Sequence, residues 1–155
     1  MKKNTLNNIM DKAQTICAHS GGRLTEKRKK LLQLLVESKV PLSAYDIAEA
    51  YNAQAPASMP TMSVYRILEF LESEQLVHKL QSANKYVACA HIACDHAHEV
   101  PQFLICERCQ AVKEIGIPGS IIEGLKAQVQ KADYILQTPQ LELKCLCRAC
   151  AKKAA

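Results

Sequence analysis

Eight cysteines are the chemically loaded residues of this 155-residue chain. Four of them form two Cys-x-x-Cys pairs, Cys106-Glu107-Arg108-Cys109 and Cys147-Arg148-Ala149-Cys150. Each pair can supply two corners of one tetrahedral ion. Thiolates are soft, charged donors, and Zn(II) held by four of them undergoes no redox change. The pairs lie farther apart than in a compact zinc ribbon, so a shared ion would tie two distant segments together. A redox dithiol is the rival explanation for either pair. Cys145 falls outside the pair spacing and reads as a spare or competing ligand.

A second group of ligand-type residues gathers at His78, Cys89, His91, Cys94, His96 and His98, with Glu114 nearby. A single histidine is most often a surface or satisfied core residue. Four of the five histidines in one short stretch, with two cysteines among them, point instead to a metal. The group falls where one pattern of elements gives way to another. A metal there would bridge two domains and could act as a sensor by fixing the angle between them.

The elements that must position these groups differ in the two halves. In the first half, Leu6, Ile9, Met10, Ala13, Ile16 and Cys17 recur at helical spacing. Cys17 therefore reads as core. Gly21 and Gly22 end that helix. Thr25 caps the next, which carries Leu31, Leu32, Leu34, Leu35 and Val36. Ser43, with Asp46 three positions on, starts a short helix over 44–53 as a variant capping box. Pro56 and Pro60 mark a loop. Thr61 or Ser63 then caps a helix reaching Glu74, with Val64, Ile67, Leu68 and Leu71 facing inward. Residues 76–80 and 85–90 form a hairpin around Gln81-Ser82-Ala83-Asn84.

Helices followed by a hairpin match a winged helix-turn-helix domain, here residues 1–90. Its second bihelical element would enter the major groove, and the hairpin would lie over the backbone. Residues 91–155 read as a small α/β domain. Strands are expected at 103–106, 111–115, 134–137 and 141–145, with a helix from Gly119 or Ser120 that presents Ile121, Ile122, Leu125 and Val129. So small a module calls for a metal or a subunit partner. The fold class is therefore α+β.

Composition excludes several other classes. With 48% hydrophobic and 23% charged residues, the chain is neither disordered nor collagen-like. Its N-terminal residues, Met1 to Asn8, are polar, so no export signal is expected. No apolar run approaches a membrane span. A cytoplasmic setting follows as the expectation, where thiols stay reduced and serve as ligands. The net charge of +5 permits nucleic-acid binding without requiring it. Arg23, Lys27, Arg28, Lys29 and Lys30 concentrate that charge, either as a solvated helix face or as a phosphate-attracting patch. A zinc nucleobase deaminase would need His-x-Glu and a later Pro-Cys-x-x-Cys. Here Glu99 follows His98 directly and Ile105 precedes Cys106, so that pattern fails twice. No catalytic residues are expected.

The runs Ser43-Ala44-Tyr45-Asp46, Ser63-Val64-Tyr65-Arg66-Ile67-Leu68 and Leu76-Val77-His78-Lys79 carry a family resemblance. So do Phe103-Leu104-Ile105-Cys106-Glu107-Arg108-Cys109 and the later Cys147-x-x-Cys150. Together they resemble the ferric uptake regulator superfamily, and within it the zinc-sensing branch. The similarity runs from about Leu6 to Cys150.

The resemblance implies a homodimer that binds double-stranded DNA through the winged-helix domain and dimerises through the second. It implies two zinc ions per protomer. One is structural, at Cys106, Cys109, Cys147 and Cys150. The other is regulatory, with ligands at His78, Cys89, His98 and Glu114. His96 is the runner-up to His98, because the segment from Cys89 to Cys106 is slightly longer than that branch usually has. His91 and Cys94 have no place in the pattern. Tyr45 and Arg66 map onto DNA-contacting positions, and Tyr65 is either a contact or a packing aromatic. Arg23, Lys27 and Arg28 would attract phosphate.

The implied function is a zinc-responsive transcriptional repressor acting on an inverted-repeat operator, with no membrane or small-molecule partner. An iron or peroxide sensor of the same family is the alternative. The thiol of Cys89 independently favours Zn(II), since Fe(II) is well served by imidazole and carboxylate.

Overall fold

The computed structural model describes residues 3–94 and 100–154. The chain divides into two units, Met1–His96 and Ala97–Ala155. Ile92, just past the boundary expected near residue 90, packs into the core of the first unit.

The first unit opens with α1 (Lys3–His19), α2 (Glu26–Glu37), α3 (Ala44–Gln54) and α4 (Thr61–Ser73). Helix α1 ends in a Schellman motif. Gly21 takes a φ of +80°, its N–H donates to the Ala18 carbonyl, and the Gly22 N–H donates to that of Cys17. Thr25 caps α2 by accepting from the Arg28 N–H. Ser43 and Asp46 form a reciprocal capping box on α3, at 3.1 and 2.9 Å. The Ser43 bonds also hold the Asp46 carboxyl below the usual carboxylate range.

Helix α4 departs from expectation at its start. Neither Thr61 nor Ser63 caps it. Pro60 occupies the cap position with φ −63°, and its carbonyl accepts from the N–H groups of Ser63 and Val64. Proline supplies the geometry that a capping hydroxyl would otherwise secure.

The long connection between α3 and α4 is held by one side chain. Asn52 donates through Nδ2 to the Met59 carbonyl at 3.2 Å and accepts the Met59 N–H at 2.6 Å. Met59 itself is buried. Strands β1 (Val77–Leu80) and β2 (Lys85–Ala88) then pair antiparallel, His78 opposite Val87. Asn84 takes a positive φ in their turn. Leu42 adds an antiparallel bridge to Tyr86, tying the entry of α3 to the hairpin. The core is apolar and continuous, with Leu31, Leu32, Ile47, Val64, Leu68, Leu71, Leu76 and Val77 fully buried. Cys17 lies in it, as its place on the α1 stripe predicts, and burial pushes its thiol pKa up.

The second unit contains β3 (Gln102–Cys106), β4 (Val112–Ile115), α5 (Gly119–Lys131), β5 (Glu142–Cys145) and α6 (Arg148–Ala154). The sheet order is β4-β3-β5, antiparallel on one side of β3 and parallel on the other. The buried side chain of Gln102 fastens the incoming β5. It donates to the Pro139 carbonyl at 2.8 Å and accepts the Leu141 N–H.

The strand expected at 134–137 is absent: those residues belong to no described sheet. Tyr134 and Ile135 are instead 72% and 81% exposed. Among the described residues, no neighbouring strand pairs with their β-forming side chains. Helix α5 likewise has no buried residue. Among the described residues, no helix is long and apolar enough to cross a membrane.

Candidate metal centres and nucleic-acid interface

The four paired cysteines of the second unit converge. Cys106 ends β3, and the turn to β4 presents Cys109, with Gln110 at a φ of +62° reversing the chain. Cys147 follows β5, and α6 begins one residue later, so its first turn delivers Cys150. All four Sγ atoms lie within 4.8 Å of one another. Cys109 Sγ and Cys147 Sγ are 3.8 Å apart. Zinc–sulfur bonds of about 2.3 Å in a tetrahedron require sulfur–sulfur edges of about 3.8 Å.

The surrounding backbone favours this set. The Cys147 N–H donates to Cys106 Sγ, and the Cys150 N–H to Cys147 Sγ, each at 3.4 Å. Arg108 Nη1 donates to the Cys150 carbonyl at 3.1 Å, clamping α6 against the turn. The N–H groups of Cys109 and Cys147 pull the Cys106 thiol down to about 6. The Cys147 sulfur, followed by burial, pushes Cys150 up to about 12. Four sulfurs at this spacing cannot all be charged without a cation among them. The donor set and its edge length both fit zinc. Cys145 pairs with Cys106 across β3 and β5 but does not belong to the group of four.

The second predicted group is only partly in view. In the first unit, His78 on β1 and Cys89 just beyond β2 place ligand atoms within 4.8 Å of each other. Cys89 is buried. Its N–H donates to the Leu76 carbonyl, and its sulfur accepts the His91 N–H at 3.4 Å, so both its backbone and its thiol are oriented. The pair is suited to a borderline-soft cation such as zinc. Among the described residues, His91 and Cys94 do not join it. Glu114 lies on β4 of the second unit, opposite Phe103. His96 and His98 lie outside the described residues.

The expected DNA-contacting side chains fall into two sets. Tyr45, the second residue of α3, is 68% exposed, and Arg66 is exposed on α4. Arg23 and Lys27 are also exposed. Tyr65 is partly buried against the core, which favours the packing role for it. Arg28 is engaged within the fold: its guanidinium lies 3.6 Å over the Phe70 ring, and Nη1 donates to the Arg23 carbonyl at 2.7 Å. It joins α2 to α4, a role that charge clustering alone did not reveal.

Residues 19–144 match the Ferric uptake regulator family. The chain belongs to that family. It is 34% identical over all 155 residues to the zinc uptake regulation protein of Escherichia coli strain K12, covering 88% of that protein. Two solved structures of similar proteins are both 31% identical to it. One is a zinc uptake regulator complexed with zinc and DNA, matched at a TM-score of 0.84 over 97% of this chain and 99% of that one. The other is the holo form of XcZur, matched at 0.79 over 94% and 99%. Within the ferric uptake regulator family, then, this chain is similar to zinc regulators along its whole length.

Proposed function

We propose that this protein is a zinc-responsive transcriptional repressor of the cytoplasm. It binds an inverted-repeat operator as a zinc-loaded homodimer and controls zinc-uptake genes. The observation that carries the proposal is the Cys89 thiol oriented beside His78, in a chain similar throughout to zinc uptake regulators. A thiolate in the sensing set selects zinc over ferrous iron.

Each protomer holds two zinc ions. Cys106, Cys109, Cys147 and Cys150 bind the structural ion, which supplements the few buried apolar side chains described in the second unit. His78, Cys89, His98 and Glu114 bind the regulatory ion, with His96 as the substitute for His98. Four protein ligands leave no open position for a substrate, so neither ion serves catalysis. The regulatory ion must bind the DNA-competent state more tightly than the other, by several kcal/mol for a sharp switch.

The exposed apolar surface of the second unit supports a partner subunit. Ile121 on α5 is 54% exposed, and Tyr134 and Ile135 stand in solvent. A two-fold dimer would present two α4 helices to two half-sites. Tyr45 and Arg66 contact bases or phosphate there, while Arg23 and Lys27 attract the backbone.

The test is duplex binding over a buffered free-zinc series, with zinc counted per protomer. Two zinc ions per protomer and operator affinity that rises with zinc are expected. Full affinity with ferrous iron and none with zinc would overturn the proposal.

A further inference from the structure

Helix α4 divides its side chains by face. Val64, Leu68 and Leu71 are buried, while Met62, Arg66 and Glu69 are exposed. Met62 is 65% exposed, an unusual position for so large an apolar side chain on an otherwise polar stripe. A scattered surface methionine needs no explanation by itself. This one has a specific neighbour. Residues four apart on a helix sit one above the other, so Met62 lies one turn before Arg66 on the same face. It is also the second residue of the helix. The N-terminal residues of a recognition helix are the ones that reach base edges.

Base edges in the major groove offer one apolar group, the thymine methyl. A flexible, polarizable thioether is well suited to pack on it. We propose that Met62 is a specificity-determining residue that reads a thymine methyl beside the base read by Arg66. This rests on the DNA-binding proposal above. Four helical residues advance about 6 Å, roughly two base-pair steps. The thymine should therefore lie within about two base pairs of the base that Arg66 selects.

A random duplex library, selected with the zinc-loaded full chain, gives the preferred half-site for the wild type, Met62→Ala and Met62→Leu. The thymine whose enrichment depends on Met62 is then replaced by deoxyuridine, which removes only the methyl group. The wild type should lose about fourfold in affinity, the factor for one methyl group taken from water. Met62→Ala should bind both duplexes equally, and Met62→Leu should retain the preference. Because the side chain is exposed, the variants should melt with the wild type, which separates recognition from folding. A Met62→Ala variant that enriches the same thymine would overturn the inference and leave DNA binding intact. A wild type that enriches no sequence would overturn the DNA-binding proposal, and this inference with it.

Discussion

The two units of this chain solve the problem of stability differently. The first buries a continuous set of leucines, isoleucines and valines between four helices and a hairpin. The second has, among its described residues, three short strands, a helix with no buried residue and a fully buried Phe103 as its main apolar anchor. Its remaining cohesion converges on four sulfurs. One unit is held by the aqueous solvent's exclusion of apolar surface. On the proposed zinc assignment, the other depends on a coordination site whose binding free energy is folding free energy. Metal supply should therefore matter to them unequally.

Breaking the thiolate centre should have the largest effect. Cys106→Ser leaves a charged cluster with no complete cage, so the second unit should unfold or the dimer dissociate, while the first keeps its helices. Circular dichroism with zinc stoichiometry reads both; a stable dimer lacking the ion would refute the contrast. The converse variant, Leu68→Ala, removes a fully buried side chain from the first core. It should cost about 2–5 kcal/mol in denaturant unfolding while the four thiolates keep their zinc. Ser43→Ala deletes the α3 cap and should cost about 1 kcal/mol.

The same cap gives a pH dependence. The Asp46 carboxyl is held low in the folded state by Ser43. Its contribution is thus complete above the ordinary carboxylate range and fades as acid protonates it. An Asp46→Asn variant and the wild type should accordingly converge in stability at low pH, as thermal melts across an acid series would reveal. Cys89→Ser should perturb folding least of all. It should leave fold and dimer in place while weakening the zinc dependence of operator binding. Unchanged zinc dependence in a gel-shift series would remove Cys89 from the sensor.

The same division governs what the sequence could disclose. Local signals were legible in it: the Thr25 cap, the Ser43–Asp46 box, the Gly21 stop and the turn at Asn84 each depend on neighbours a few residues away. The Cys-x-x-Cys pairs were legible because their spacing is itself the coordination geometry. Features set by distant contacts were not. Tyr134 to Gln137 have strand-forming side chains, but pairing requires a neighbour that local pattern cannot supply. Arg28 belonged to a charge cluster until the approach of Phe70 gave it a ring to cover. The clamp of Asn52 on Met59 could not be read either, since an asparagine before a loop has many possible partners.

The parallel pairing of β3 with β5 also imposes an order in time. Cys147 follows Cys106 by 41 residues. At ordinary rates of synthesis, the second thiolate pair leaves the ribosome about 2–8 s after the first. The first unit is by then complete and free to fold. Cys106 and Cys109 meanwhile wait on a two-stranded hairpin that is marginal by itself. Every newly made copy therefore passes through an interval with half a cage, its open thiols available to oxidants and competing metals.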